Sequence, residues 1–312
     1  MVKRINKLIL LGLLLIAINS SISFVVAIDN GVFVQGVDMY NVDFKELKKN
    51  NITEIYLYSG AIMKYGHNKV ATWIIQAHKE GFKVNVVVPV FQEQGQWHNP
   101  ANQQFVDKKL HEIESYLELG ADGINLDYIR YSGDAYKYPG ADSLITSFVK
   151  KVHEKTKPKN IKLSLCIMPE PSNGIKYYGQ NIKKLSKNCE ELSVMIYKGN
   201  YKKNSQWILD TTKWYVTNSY CSVKPILQTY RSDNNLNVLS DHELSQDSHS
   251  CFNGGAKEVS YFQLKYLKTF PIDKYKDNND IIDQNQDSNN ISNESDDILD
   301  LDNISKSIEQ IF

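Results

Sequence analysis

The apolar positions of this chain change period along its length. Short runs rich in valine, isoleucine and tyrosine are separated by longer stretches whose apolar residues recur every three to four positions. The first kind suits strands, where successive side chains alternate between faces, and the second suits amphipathic helices. The pattern predicts strands over 34–40, 54–58, 83–91, 123–129, 162–170, 191–197, 224–230 and 258–263. Helices are predicted over 43–50, 68–81, 101–120, 140–156, 179–188, 205–219 and 240–253. Gly81, Gly120 and Gly254 stand just past apolar-periodic stretches, where a helix C-cap favours glycine.

Regular alternation of strand and helix implies a parallel sheet with crossover helices. The stretch 28–271 holds roughly 240 residues, the usual size of one (β/α)8 barrel. A doubly wound open sheet would carry a glycine-rich phosphate turn after its first strand, and Val37 to Asn41 (VDMYN) has none. No repeat of solenoid period is present. The expected fold is α/β, a single closed (β/α)8 TIM barrel.

The ends read differently. Residues 1–27 have a basic start (Lys3, Arg4, Lys7), a short apolar core from Leu8 to Ile18, and small residues near Ala27. This is the pattern of a cleaved signal peptide, with an apolar core short of the roughly 20 residues a comfortable span needs. The protein is therefore expected to be secreted or held at the cell surface, with no membrane contact beyond that segment. Residues 272–312 turn rich in Asp, Asn and Ser and poor in aromatics, which predicts a disordered acidic tail. The 36 basic and 36 acidic residues balance to a formal net charge of zero, which gives no footprint for nucleic acid.

In a barrel of this kind the chemistry sits at the carboxyl ends of the strands. Those ends collect acids, amides and tyrosines. Asp38 and Tyr40 close the first predicted strand and Tyr58 the second; Glu93 and Trp97 follow the third. Asn125 and Asp127 share the inward parity of the fourth, and Arg130 and Tyr131 follow it. Glu170 ends the fifth, Tyr197 the sixth, and Gln228 and Tyr230 the seventh. Glycosidic cleavage needs a carboxylic acid to protonate the leaving oxygen and a second carboxylate as nucleophile or base, and sugar rings pack on aromatic faces. Asp127 is the expected catalytic carboxylate, Glu170 its partner from the neighbouring strand, and Asp38 a supporting acid. Expected substrate contacts are Tyr40, Tyr58, Glu93, Trp97, Asn125, Arg130, Tyr131, Tyr197, Gln228 and Tyr230. Asp233 also follows the seventh strand, but Asp233-Asn234-Asn235 reads as turn chemistry and ranks below Glu170.

The run from Asp122 to Tyr131 (DGINLDYIRY) resembles the fourth-strand motif of a group of glycoside hydrolase-like barrels, many without an assigned substrate. Leu192 to Tyr201 (LSVMIYKGNY) resembles that group's sixth strand, and Lys224 to Tyr230 (KPILQTY) its seventh. More distantly, the fourth-strand Asp and the Met-x-Tyr of the sixth are similar to family 18 chitinases. The resemblance implies a sugar-active barrel with Asp127 carried over as catalytic. It departs from family 18 where Asn125 replaces an acid, Tyr128 and Ile129 follow Asp127, and Lys198 stands for an Asp, which speaks against substrate-assisted cleavage by that route.

The expected function is hydrolysis of O-glycosidic bonds in an extracellular or cell-wall polysaccharide. The alternatives are a carbohydrate-binding barrel without turnover and a structural surface protein. No cofactor and no metal are expected, because the seven histidines are dispersed and form no paired-ligand motif. Of the four cysteines, Cys189 and Cys221 precede neighbouring strands and are the first expected disulfide, with Cys221–Cys251 the second choice and Cys166 a reduced core thiol.

Overall fold

The computed structural model describes residues 30–268. The expected signal segment 1–27 and acidic tail 272–312 lie outside the described residues. The parallel strands are β1 (Asn30–Val34), β2 (Ile52–Tyr58), β3 (Lys83–Pro89), β4 (Gly123–Asp127), β5 (Lys162–Ile167), β6 (Glu191–Val194), β7 (Ser222–Val223), β8 (Ile226–Gln228) and β9 (Ser260–Phe262). Their order in the sheet is β8-β9-β1-β2-β3-β4-β5-β6-β7. The two edge segments, β7 and β8, are separated in the chain only by Lys224 and Pro225, and Met195 pairs with Ile226 across the seam. They are halves of one strand, broken where proline lacks a ladder donor. The sheet thus curls into a TIM-like barrel.

The helices α1 (Phe44–Lys49), α2 (Gly60–Tyr65), α3 (His67–Lys79), α4 (Gln103–Tyr116), α5 (Ala141–Thr156), α6 (Ile182–Leu185), α7 (Ser205–Asn218) and α8 (Asp241–Asn253) lie in the crossovers. Side chains cap several of them: Asn102 accepts from the Phe105 amide, Asn204 from that of Trp207, and Ser240 with Glu243 forms a reciprocal capping box. Gly81 and Gly120 take positive φ (86° and 80°), whereas after α8 the left-handed position falls on Gly255 (95°) rather than Gly254.

Three expectations need correction. The first strand lies at Asn30–Val34, not 34–40; Gly36–Asn41 is a 3-10 helix. The expected helix over 179–188 shrinks to α6, preceded by a wide turn at Gly174–Tyr178. After β8 the chain forms an antiparallel hairpin, Tyr230–Ser232 with Asn235–Val238, where only a turn was foreseen.

Two apolar clusters divide the molecule. One lies between sheet and helices; the other, built around Phe33, Tyr56, Tyr58, Cys166, Tyr197, Tyr230 and Phe262, fills the barrel. Strand parity stacks the interior in layers, as in other barrels. At the amino ends Glu54, Lys162, Glu191 and Lys224 form a charged layer: Lys224 pairs with Glu54 and, at 2.9 Å, with Glu258, while Lys162 lies 2.5 Å from Glu54 and 3.3 Å from Glu191. Gly123 leaves room there for Asn85, whose Oδ1 occupies the space a Cβ would need and whose amide donates to Glu54 at 2.8 Å. Asn125 forms the middle layer, donating to Ser164 Oγ (2.8 Å) and Ser193 Oγ (3.3 Å). The upper layer holds Tyr58 and Asp127 at the carboxyl ends.

Candidate active site

Asp127 is the last residue of β4, and the backbone turns sharply after it. Tyr128 has φ 48°, a left-handed conformation that costs a bulky residue about 1–3 kcal/mol and tends to mark functional positions. The turn brings the Tyr128 N–H back onto Asp127 Oδ1 at 2.7 Å, while the Tyr58 hydroxyl, from β2, donates to Oδ2 at 2.9 Å. Asp127 is only 5% exposed. Burial pushes its pKa up, against the pull of the Tyr58 and Tyr128 hydrogen bonds and of Arg130. Burial and the nearby Asp127 push up the Cys166 thiol, and burial followed by Asp127 does the same to the Tyr58 phenol. A buried carboxyl that holds its proton above its ordinary range is suited to donating it.

Arg130 follows the turn. Its guanidinium lies over Trp97 (4.7 Å), Tyr128 (5.3 Å) and Tyr178 (5.6 Å), and Nη1 donates to the Tyr131 carbonyl at 3.1 Å. Tyr178 leads to Glu170, whose Oε1 accepts from the hydroxyls of both Tyr178 and Tyr201 at 2.8 Å.

A third carboxylate lies beyond β8. Asp233 sits in the hairpin turn, half-buried, with Oδ1 accepting from Tyr230 Oη (2.9 Å) and Gln228 Nε2 (3.1 Å) and Oδ2 from Asn200 Nδ2 (2.7 Å). Its own N–H donates to Asn200 Oδ1 at 2.9 Å. Burial raises its pKa too, against these three donors. Gly199 makes the arrangement possible, because a Cβ there would meet the Arg231 carbonyl oxygen at 1.5 Å. Burial raises the Tyr197 phenol, followed by its neighbours Tyr230, Cys166, Asp127 and Asp233, so both aspartates bear on the same tyrosine.

The expected residues separate into those gathered at this face and those held elsewhere. Asp127, Tyr58, Trp97, Arg130, Tyr197, Gln228, Tyr230 and Glu170 belong to connected networks at the carboxyl ends. Asp38 does not: with the first strand displaced, it lies in the 3-10 turn and accepts from the Asn41 side chain at 2.9 Å. Tyr40 is 58% exposed beside Tyr65. Asn125 is fully buried, bonded within the barrel one layer below Asp127, and so is a support for the interior rather than a substrate contact. Tyr131 is buried against Tyr138 in the sheet–helix core. Glu93 pairs with buried Lys109 of α4, which fastens its short hairpin to the scaffold. Lys198 pairs with Asp247 at 2.7 Å. Tyr178 and Asn200 went unread as site residues; the adjacent tyrosines 177–178 and the Gly199-Asn200 pair were their signals. Cys189 and Cys221 lie 3.7 Å apart as thiols, the first expected pairing in position without a bond, while Cys251 is buried separately.

At the amino ends a cavity of about 620 Å³ opens over Glu54, Asn85, Lys162 and Glu191. Glu54, Glu191 and Glu258 bring carboxylate oxygens within 4.8 Å of one another, but Lys224 contacts all three. Ammonium groups already balance this end, and in TIM-like barrels it is the end that serves stability.

The fold is thus a TIM-like barrel with aspartates, a glutamate and tyrosines gathered at the carboxyl ends of its strands. Residues 45–240 match the family described as "Putative glycosyl hydrolase domain", and the chain belongs to that family. Solved structures of like fold include the glycoside hydrolase domain of PgaB (BpsB) from Bordetella bronchiseptica, 10% identical, covering 77% of this chain and 95% of that one with a TM-score of 0.58. A class V chitinase from Pseudomonas fluorescens Pf-5 is 15% identical, covering 77% and 96% with a TM-score of 0.59. A chitinase from Chromobacterium violaceum ATCC 12472 is 11% identical, covering 76% and 94% with a TM-score of 0.58. At these identities the likeness concerns the fold. No curated protein matches the chain by sequence.

Proposed function

We propose that this protein is a glycoside hydrolase that cleaves O-glycosidic bonds of a polysaccharide outside the cell, with Asp127 as the proton donor. The observation that carries the reading is the state of Asp127: buried at the end of β4, held by one donor on each oxygen, with its pKa raised by burial. Such a carboxyl reaches neutral pH with its proton better retained than a solvated one, which suits protonation of a leaving sugar oxygen. Half-buried Trp97 offers a ring edge or face to the sugar, buried Tyr197 and Tyr230 pack beneath the site, and Glu170 sets the hydroxyls of Tyr178 and Tyr201. The names of the solved relatives support a polysaccharide as substrate. Release from the cell rests on the amino-terminal pattern of residues 1–27.

The slight exposure of Asp127 favours one competing reading, a carbohydrate-binding barrel without turnover. Reducing-end release from a panel of cell-wall and host polysaccharides decides between them. Wild type should release ends and Asp127→Asn should not. Binding of a polymer by wild type without release would establish the competing reading.

A further inference from the structure

We propose that Asp233 is the second catalytic carboxylate: the general base that activates the attacking water from across the barrel mouth. The inference rests on the glycoside hydrolase reading above and supplies the partner that cleavage requires.

Two carboxylates besides Asp127 stand at this face, Glu170 and Asp233, while Asp38 lies outside it. Asp38 is occupied in its own turn. Glu170 follows β5, next to β4, and its Oε1 is taken by two tyrosine hydroxyls on the side where Arg130 lies over Tyr178. Asp233 is fixed by three uncharged donors and partly open to solvent. Its connection to Asp127 runs through aromatic rings. Tyr230, bonded to Asp233, lies 6.4 Å from Phe262; Phe262 stacks on Tyr197 at 5.6 Å and meets Phe33 at 6.0 Å; Phe33 meets Tyr58, bonded to Asp127, at 6.3 Å. The tyrosines bonded to the two acids are thus joined through one buried aromatic cluster.

Their spacing around the barrel suggests the division of labour. Asp127 ends β4, and Asp233 follows β8, the second half of the seventh strand of the barrel. Neighbouring strands are about 4.8 Å apart, so three strand steps set the carboxylates on facing sides of the mouth rather than side by side. Wide separation leaves space for a water between sugar and base, the inverting arrangement. In that step Asp127 gives its proton to the glycosidic oxygen as the bond to the anomeric carbon breaks. The water oxygen bonds to the same carbon from the opposite face, and its proton passes to the Asp233 carboxylate. One water is consumed, one new reducing end and one hydroxyl appear, and exchange with solvent restores both carboxyls. Gly199 and Asn200 are positioning residues here, since they fix the hairpin that carries the base.

The test uses the mature protein with the polysaccharide it cleaves best, comparing wild type with Asp233→Asn, Glu170→Gln, Asp127→Asn and Asn200→Ala. Asp233→Asn should lower kcat about 10²- to 10⁴-fold with little change in KM, as expected for loss of an acid–base group, and should abolish the acidic limb of the kcat/KM profile. Glu170→Gln, which disturbs the Tyr178 and Tyr201 hydroxyls, should cost less than Asp233→Asn and leave the acidic limb in place, and loss of that limb in Glu170→Gln would overturn the assignment. Proton NMR of the first product should show inverted anomeric configuration. Should Asp233→Asn melt early, Asn200→Ala decides: losing a donor to the anion should move the acidic limb to higher pH. A retained anomer, an active Asp233→Asn, or an acidic limb unmoved in Asn200→Ala would overturn the assignment of Asp233 alone. Absence of release by wild type, or full release by Asp127→Asn, would instead overturn the hydrolase reading on which it rests.

Discussion

Replacing Lys224 by methionine should cost about 3–5 kcal/mol of stability, the range for removing one partner of a buried ion pair. Lys224 is 1% exposed and contacts Glu54, Glu258 and Glu191. Without it, Glu54 keeps only Lys162 as a cationic partner among the described residues. A second route gives a similar magnitude. Burial alone would push the Glu54 pKa up, yet Lys224 and Lys162 pull it from 4.5 down to about 2. That displacement corresponds to about 3 kcal/mol of preference for the ionised form. Because the folded pKa lies below the unfolded one, this contribution is complete above about 4.5 and is lost as pH falls toward about 2. Urea unfolding of wild type and Lys224→Met should therefore show a gap that is widest at neutral pH and narrows on acidification. A gap below about 1 kcal/mol at neutral pH, the scale of a surface pair, would refute the reasoning, as would one that widens in acid.

Three further outcomes are expected. Asp127→Asn should melt higher than wild type at neutral pH: the folded pKa is raised, so the acid's contribution to stability is present at low pH and is lost as pH rises through that folded value; calorimetry across pH should show the gap closing in acid. Treatment with a thiol oxidant such as diamide should join Cys189 to Cys221, now 3.7 Å apart as thiols, and leave buried Cys166 and Cys251 reduced; peptide mapping that finds any other pair would contradict this. Gly199→Ala should displace the Asp233 hairpin, since the new Cβ meets the Arg231 backbone carbonyl, lowering both the melting temperature and, by roughly tenfold to a hundredfold, kcat, within what a 1 Å misplacement can cost; unchanged kcat and melting temperature would contradict this.

The sequence pattern disclosed the barrel because period is a robust signal. The second, third and fourth strands begin within two residues of their expected starts, and α5 within one. The first strand was misplaced for a physical reason. Val32-Phe33-Val34 is buried on both faces and so shows no alternation, whereas Val37 to Tyr40 alternates because a 3-10 turn buries Met39 and exposes its neighbours. That displacement carried Asp38 and Tyr40 out of the site. Asp127 was legible because strand parity and position suffice to place it. Asp233 was not, because its reading as turn chemistry was sound and incomplete: the turn belongs to a hairpin, and only the backbone path past Gly199 brings Asn200 and Gln228 onto its carboxylate. Long-range pairing of this sort leaves no local mark.

The two ends of the barrel hold their acids by different means. Ammonium groups grip the glutamates at the amino ends, while phenols and amides supply the direct hydrogen bonds to Asp127, Glu170 and Asp233 at the mouth. New segments grafted onto the mouth would therefore leave the anchoring charges at the opposite pole untouched. Grafted variants should then lose or gain specificity with their tolerance to heat largely intact.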